Sequence, residues 1–185
     1  MQLVTPTAAE LPSYTAALQR GWSPNSERPE LAQEQLASIG RFPQAFLASL
    51  TDREARGGAV KLPDGSQVPR LPGYVLWMWD GEFCGSLSVR WAHGTEALPP
   101  YCLGHIGYGV VPWKRGLGYA RSALAQALPL ARAEGLRWVE VTTDLDNRAS
   151  QRVILSNGGV LVEQFDKPPQ FSRRVVGLRY RIHLN

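Results

Sequence analysis

The sequence is short of cysteine, of long apolar runs and of any Lys/Arg block, and each shortage removes a class of protein. Two cysteines among 185 residues, Cys84 and Cys102, cannot build a disulfide framework and lack metal-ligand spacing. No metal is therefore expected, and a reduced cytoplasm is the simplest compartment. Apolar stretches are broken by Gly, Pro or charge well before the ~20 residues that a membrane span needs. Residues 1–20 carry no basic segment followed by an apolar block, so neither an export signal nor a membrane partner is expected. The net charge is +4, yet the arginines are dispersed, with their densest group at Arg173, Arg174, Arg179 and Arg181. Without a basic stripe and aromatic platforms, nucleic acid is not the expected partner.

What is present is the composition of a globular chain, 44% hydrophobic and 19% charged, long enough for one domain over 1–185 with its own core. Leu3–Thr5 reads as a strand. Thr7, with Glu10 three residues on, reads as the capping box of a helix to Arg20. A second helical stretch runs from Pro29 to Leu50, interrupted near Gly40 and Pro43. Residues 62–73 read as a loop. Tyr74–Trp79 and Phe83–Trp91 then flank Asp80-Gly81-Glu82 as a hairpin. After a loop at 92–103 come a strand His105–Val111, a helix Arg115–Glu134 and a strand Arg137–Thr143. A short helix Asn147–Ser156 and strands Val160–Phe165 and Val175–His183 complete the chain. The order is β-α-α-β-β-β-α-β-α-β-β, an α/β fold with a mixed sheet covered by helices.

The chemistry concentrates in Gly109-Val110-Val111-Pro112-Trp113-Lys114-Arg115-Gly116-Leu117-Gly118-Tyr119-Ala120. A strand enters a glycine-bearing loop that opens a helix. The first helical turn leaves N–H groups unpaired, and the aligned peptide dipoles favour an anion there. Gly116 and Gly118 admit a phosphate closely, Ala120 keeps the next turn small, and Lys114 and Arg115 add positive charge. This describes a pyrophosphate cradle; neither a dinucleotide fingerprint nor a P-loop is present. Downstream, Asp144-Leu145-Asp146-Asn147-Arg148-Ala149-Ser150 runs from a strand end into a helix, where ligands of open α/β sheets bind. Asn147 can serve as N-cap and as an amide-recognising group together. Asn157-Gly158 is a helix terminator.

With Arg115, Gly118 and Ala120 in the pattern Arg, two residues, Gly, one residue, Gly or Ala, the chain resembles the GNAT N-acetyltransferases. His105-Ile106-Gly107-Tyr108, together with Asp146-Asn147-Arg148-Ala149-Ser150 and Asn157-Gly158-Gly159, is similar to a bacterial subgroup of predicted acetyltransferases. The resemblance implies a mostly antiparallel twisted sheet flanked by helices, with a cofactor-binding core at about 104–165. It implies acetyl-CoA as cosubstrate and transfer of the acetyl group to a primary amine by direct attack. Backbone groups of Val110 and Val111 would pair with the pantetheine arm, in a splay between the strands at Val110 and Val141. Amides of Arg115, Gly116, Leu117, Gly118, Tyr119, Ala120 and Arg121 would hold the pyrophosphate, and Asn147 and Ser150 would touch the pantetheine or neighbouring parts of the cofactor. Many members carry a tyrosine as proton donor where this chain has Ile154.

His105 is the expected base, since glycines at 107 and 109 on its face leave room beside it and imidazole titrates near neutrality. The competing reading is a packed strand histidine. Tyr108 and most of the tryptophans read as core or sheet-face residues, with Trp113 in the cofactor turn as the exception. The acceptor, a small-molecule or peptide amine, is expected among residues 20–30, 62–73 and 92–103, and a homodimer is compatible with the pattern. A non-catalytic acyl-CoA-binding sensor is the alternative function, sharing every cofactor residue but showing no turnover.

Overall fold

The structure, a computed structural model, describes residues 1–62, 64–168 and 176–184. Arg173, Arg174 and Val175 lie outside them. In chain order come β1 (Gln2–Val4), α1 (Leu11–Gln19), α2 (Leu31–Arg41), α3 (Pro43–Ser49), β2 (Thr51–Asp52), β3 (Val60–Lys61), β4 (Gln67–Val68), β5 (Gly73–Trp79) and β6 (Phe83–Arg90). Then follow β7 (Ile106–Val110), a 3₁₀ turn (Pro112–Lys114), α4 (Tyr119–Ala133), β8 (Trp138–Asp144), α5 (Arg148–Leu155), β9 (Val160–Asp166) and β10 (Val176–His183).

The expected order is present, with local departures that have physical causes. The stretch Pro29–Leu50 forms two helices. The break falls at Phe42 (φ −146°, ψ 70°), because a residue before proline is pushed out of the helical region; Gly40 stays helical. The Thr7–Glu10 pair does form, with Thr7 N–H donating to the Glu10 carboxylate at 3.0 Å. It closes a turn ahead of α1, which begins only at Leu11. Residues 62–73 are not all loop, since β4 pairs with β3 as a small hairpin. The helix expected from Arg115 starts at Tyr119, after the 3₁₀ turn and the two glycines.

Every ladder among the described residues is antiparallel. One sheet has the order β1-β5-β6-β7 with β2 beside β5, and a second has the order β8-β10-β9. Side-chain alternation along β5 assigns its residues to two cores. Tyr74, Leu76 and Met78 join Leu87, Val89 and Ile106 against α4 and α5. Val75, Trp77 and Trp79 join α1, α2 and α3 on the other face. There Tyr14 stacks on Trp77, ring centroids 4.4 Å apart, and meets Phe83 edge-on at 4.9 Å. Trp77 and Trp91 are buried, as expected of core aromatics. Both sheets are thus covered by helices, and the seam between β7 and β8 is left at the centre.

Candidate functional site

The turn into α4 is shaped by Gly116 (φ 80°) and Gly118 (φ 76°), both left-handed. A Cβ at either position would meet nothing within 4 Å, so the glycines serve backbone conformation and face open space. Gly118 is the N-cap and supplies no capping side chain. The first bond of α4 runs from Ser122 N–H to Gly118 C=O at 3.0 Å. The amides of Tyr119, Ala120 and Arg121 precede it and have no acceptor within the helix. Leu117 is exposed beside them. An open helix end with its dipole aimed at solvent suits an anion such as a pyrophosphate.

Lys114 does not add charge to that end as expected. Its ammonium is bound to Asp80 at 3.0 Å and Glu82 at 2.7 Å, and Asp80 also accepts the Tyr119 hydroxyl at 2.5 Å. Asp80 is held well below the usual carboxylate range, first by that hydroxyl and then by Lys114. These contacts fasten the glycine turn to the β5–β6 hairpin, a long-range link with no local sequence signal. Trp113 carries the Arg20 guanidinium over its ring at 3.6 Å, fixing the same turn to α1.

The seam between β7 and β8 carries no ladder. On the other side of β7, Arg90 N–H bonds His105 C=O and Val111 N–H bonds Cys84 C=O, both at 2.9 Å. The intervening register is unbroken, so alternation turns the backbone groups of Ile106, Tyr108 and Val110 toward the seam. Val110 is therefore placed to pair with an extended ligand arm. Its carbonyl here accepts Arg115 Nε at 3.3 Å, an exposed contact that such an arm would displace. Val111 is not so placed, which corrects the expectation: its N–H is spent on Cys84, its carbonyl accepts Lys114 N–H at 3.0 Å, and its side chain is buried.

His105 closes the other end of the seam. Its backbone N–H donates to Glu140 C=O at 2.8 Å, and its Nδ1 accepts Glu140 N–H at 2.9 Å. The side chain is completely buried, edge-on to Trp138, and its Nε2 has no partner among the described residues. Burial lowers its pKa to about 4. With Nδ1 occupied, the ring proton sits on Nε2, so no lone pair is available to an amine. His105 stitches two strands together; it is not placed as the base. The room left by Gly107 and Gly109 lies instead beside Ser88 and Ser86, their cross-strand partners.

Beyond β8, Asn147 is the N-cap of α5, accepting Ser150 N–H at 3.1 Å. Ser150 Oγ lies 2.9 Å from the Tyr108 hydroxyl, so this pair bridges the seam. Desolvation pushes the Tyr108 phenol up to about 12, leaving it protonated at neutral pH. Tyr108 thus packs against the core, as its alternation with Ile106 and Val110 implies, and adds a hydroxyl contact that sequence pattern does not show. Ile154 is fully buried in the core cluster that α4 also joins. Close behind it, a Cβ at Gly159 would lie 2.4 Å from Ile154 Cγ2, so the helix end demands glycine.

A cavity of about 460 Å³ opens on the α1–α3 face, lined by Arg28, Lys61, Arg70 and Tyr101, with Ser88 and Arg90 from β6. It draws residues from all three segments expected to hold an acceptor. Ser88 pairs directly with Gly107 of β7, so the cavity adjoins the strand whose backbone faces the seam. Among the described residues, no helix is long and apolar enough to cross a membrane, and no group of three or more His, Cys, Asp or Glu could hold a metal.

Residues 3–160 match the family model described as "Acetyltransferase (GNAT) domain". No curated protein matches the chain by sequence. Among solved structures, RimJ of Mycobacterium smegmatis in complex with CoA-disulfide aligns at 19% identity and TM-score 0.66, over 98% of this chain and 80% of that one. A ribosomal-protein-alanine N-acetyltransferase from Brucella melitensis aligns at 18% identity and TM-score 0.57, covering 100% of both chains. A microcin self-immunity acetyltransferase in complex with acetyl-CoA and AMP aligns at 12% identity and TM-score 0.59, over 98% of this chain and 91% of that one. At these identities the likeness is one of fold.

Proposed function

As the chain belongs to the acetyltransferase (GNAT) family and is an acyltransferase, we propose that it transfers the acetyl group of acetyl-CoA directly to a primary amine, acting as a single cytoplasmic domain. The carrying observation is the open N-terminus of α4 behind two left-handed glycines, in line with a seam that presents Val110. Amides from Arg115 to Arg121 would bind the pyrophosphate. The backbone of Val110 would pair with the pantetheine, and Asn147 and Ser150 would border it. Two solved relatives in fold hold a CoA species, which supports this reading.

In the reaction the amine nitrogen bonds to the thioester carbonyl carbon and the carbon–sulfur bond breaks. The nitrogen loses a proton and the departing sulfur gains one. Holding both reactants at the seam supplies much of the rate by proximity. With His105 sealed off, the deprotonated amine enters from solvent equilibrium or through water. The Tyr108–Ser150 hydroxyl pair is the proton source at hand for the sulfur, because both groups are protonated at neutral pH and span the seam. A sensor without turnover has less support: a cavity on β6, the strand paired with β7, offers the second reactant a place.

Acetyl-CoA should raise the melting temperature in proportion to the logarithm of its concentration above Kd. Gly118→Val forces a β-branched residue into a left-handed position, with its side chain in the space reserved for phosphate. It should abolish the ligand-induced shift. A parent-like shift in that variant would remove the pyrophosphate reading.

A further inference from the structure

The geometry points to an acceptor whose amine sits near a carboxylate, with Arg90 as the residue that selects it; this deepens the amine-acetyltransferase reading and rests on it. Arg90 ends β6 and lines the cavity. On its face of the sheet it lies beside Gly107, where a Cβ would come within 3.2 Å of Arg90 Nη2. The guanidinium thus covers the first of the two glycines that lead along β7 toward Val110. Gly109, next on this face, looks onto open space, so an amine on that path passes alongside Arg90.

The charge pattern of the cavity decides the class. Arg28 is held by Glu30 at 3.0 Å and Glu34 at 3.1 Å, and Arg70 lies 3.6 Å from Asp52. Asp52 in turn accepts the N–H groups of Arg56 and Gly57, both at 2.9 Å. Among the described residues, the side-chain hydrogen bond of Arg90 goes to a neutral group, Nη2 donating to Ser88 Oγ at 2.7 Å. Neither Arg90 nor Lys61 has a carboxylate within ion-pair distance among the described residues. Both cations line the same cavity, alongside the acids Glu27 and Asp52. A planar guanidinium with spare donors, partly sheltered from water, matches a carboxylate in fork geometry. A polyamine or aminoglycoside would bring like charge against it, whereas an amino acid, or a peptide N-terminus followed by Asp or Glu, would bring the complement.

The test measures thiol release from acetyl-CoA with matched acceptors. One arm uses free aspartate and glutamate against their diamides. The other uses short peptides with a free N-terminus and Asp-Glu or Asn-Gln at the second and third positions. A spermidine arm supplies the cationic case. In the parent, kcat/KM for the carboxylate-bearing member should exceed that of its amide twin by tenfold or more in at least one arm, which also separates amino acid from peptide. In Arg90→Gln that ratio should collapse toward one, and in Arg90→Lys it should be partly retained. A ratio is insensitive to a general loss of folded enzyme. Turnover that favours the amides or spermidine, or an unchanged ratio in Arg90→Gln, overturns the carboxylate assignment and leaves acetyl transfer standing. Failure of every amine, without an acetyl-CoA thermal shift, overturns both.

Discussion

His105 shows how a single residue can satisfy a sequence pattern and still do other work. Alternation groups it with Gly107 and Gly109, but alternation cannot say that the imidazole would take the Glu140 N–H. Its pKa near 4 lies below the ordinary 6.5, which fixes a sign. Above pH 6.5 the ring is neutral in both states and its contribution is complete. As pH falls the unfolded chain takes up the proton first, so stability drains away between about 6.5 and 4. The full effect is roughly 3 kcal/mol, at 1.36 kcal/mol for each pKa unit. His105→Asn, which keeps an acceptor for Glu140, should flatten that segment of a denaturant-derived stability profile. Its acetylation rate should follow the same pH curve as the parent. A lost kinetic step in the variant would return His105 to the chemistry.

At the scale of elements, the strand–turn–helix unit from β7 to α4 was readable because its determinants are local. Gly116 and Gly118 adopt the left-handed backbone that their type permits, and Asn147 caps α5 from a position any N-cap rule would choose. What escaped were the contacts between elements. Local sequence offers Lys114 as positive charge beside the cradle, but its carboxylates stand 34 and 32 residues away in sequence, at Asp80 and Glu82. The resemblance implies Val111 as a partner of the ligand, but it does not reveal which backbone groups β6 consumes. The β3–β4 hairpin was lost inside turn-rich sequence. The Asp80 anchor gives a test: Asp80→Ala frees the Tyr119 hydroxyl, leaves Lys114 held by Glu82 alone and loosens the turn that shapes the open end of α4. It should raise KM for acetyl-CoA several-fold while leaving kcat at saturation and the melting temperature close to parental values. An unchanged KM would mean that the turn is held by its own backbone.

For the whole molecule, backbone bonding joins the two sheets at His105 and no ladder joins β7 to β8, while helices pack on both faces of the first sheet. One face brings the open end of α4 to the seam; the other brings the cavity bounded by the loops with least sequence pattern. That division explains why the family was legible and the acceptor was not. The proposed donor side rests on backbone geometry encoded by a few glycines, and the proposed acceptor side on side chains gathered from distant segments. The most direct measurement follows both products together, free thiol by absorbance and acetylated amine by mass spectrometry, with a reactive acceptor from the matched panel. Acetyl transfer by direct attack predicts one acetylated amine for each thiol released, with a rate saturable in both reactants. Acetyl-CoA binding with no thiol released, or thiol released without acetylated amine, would contradict it.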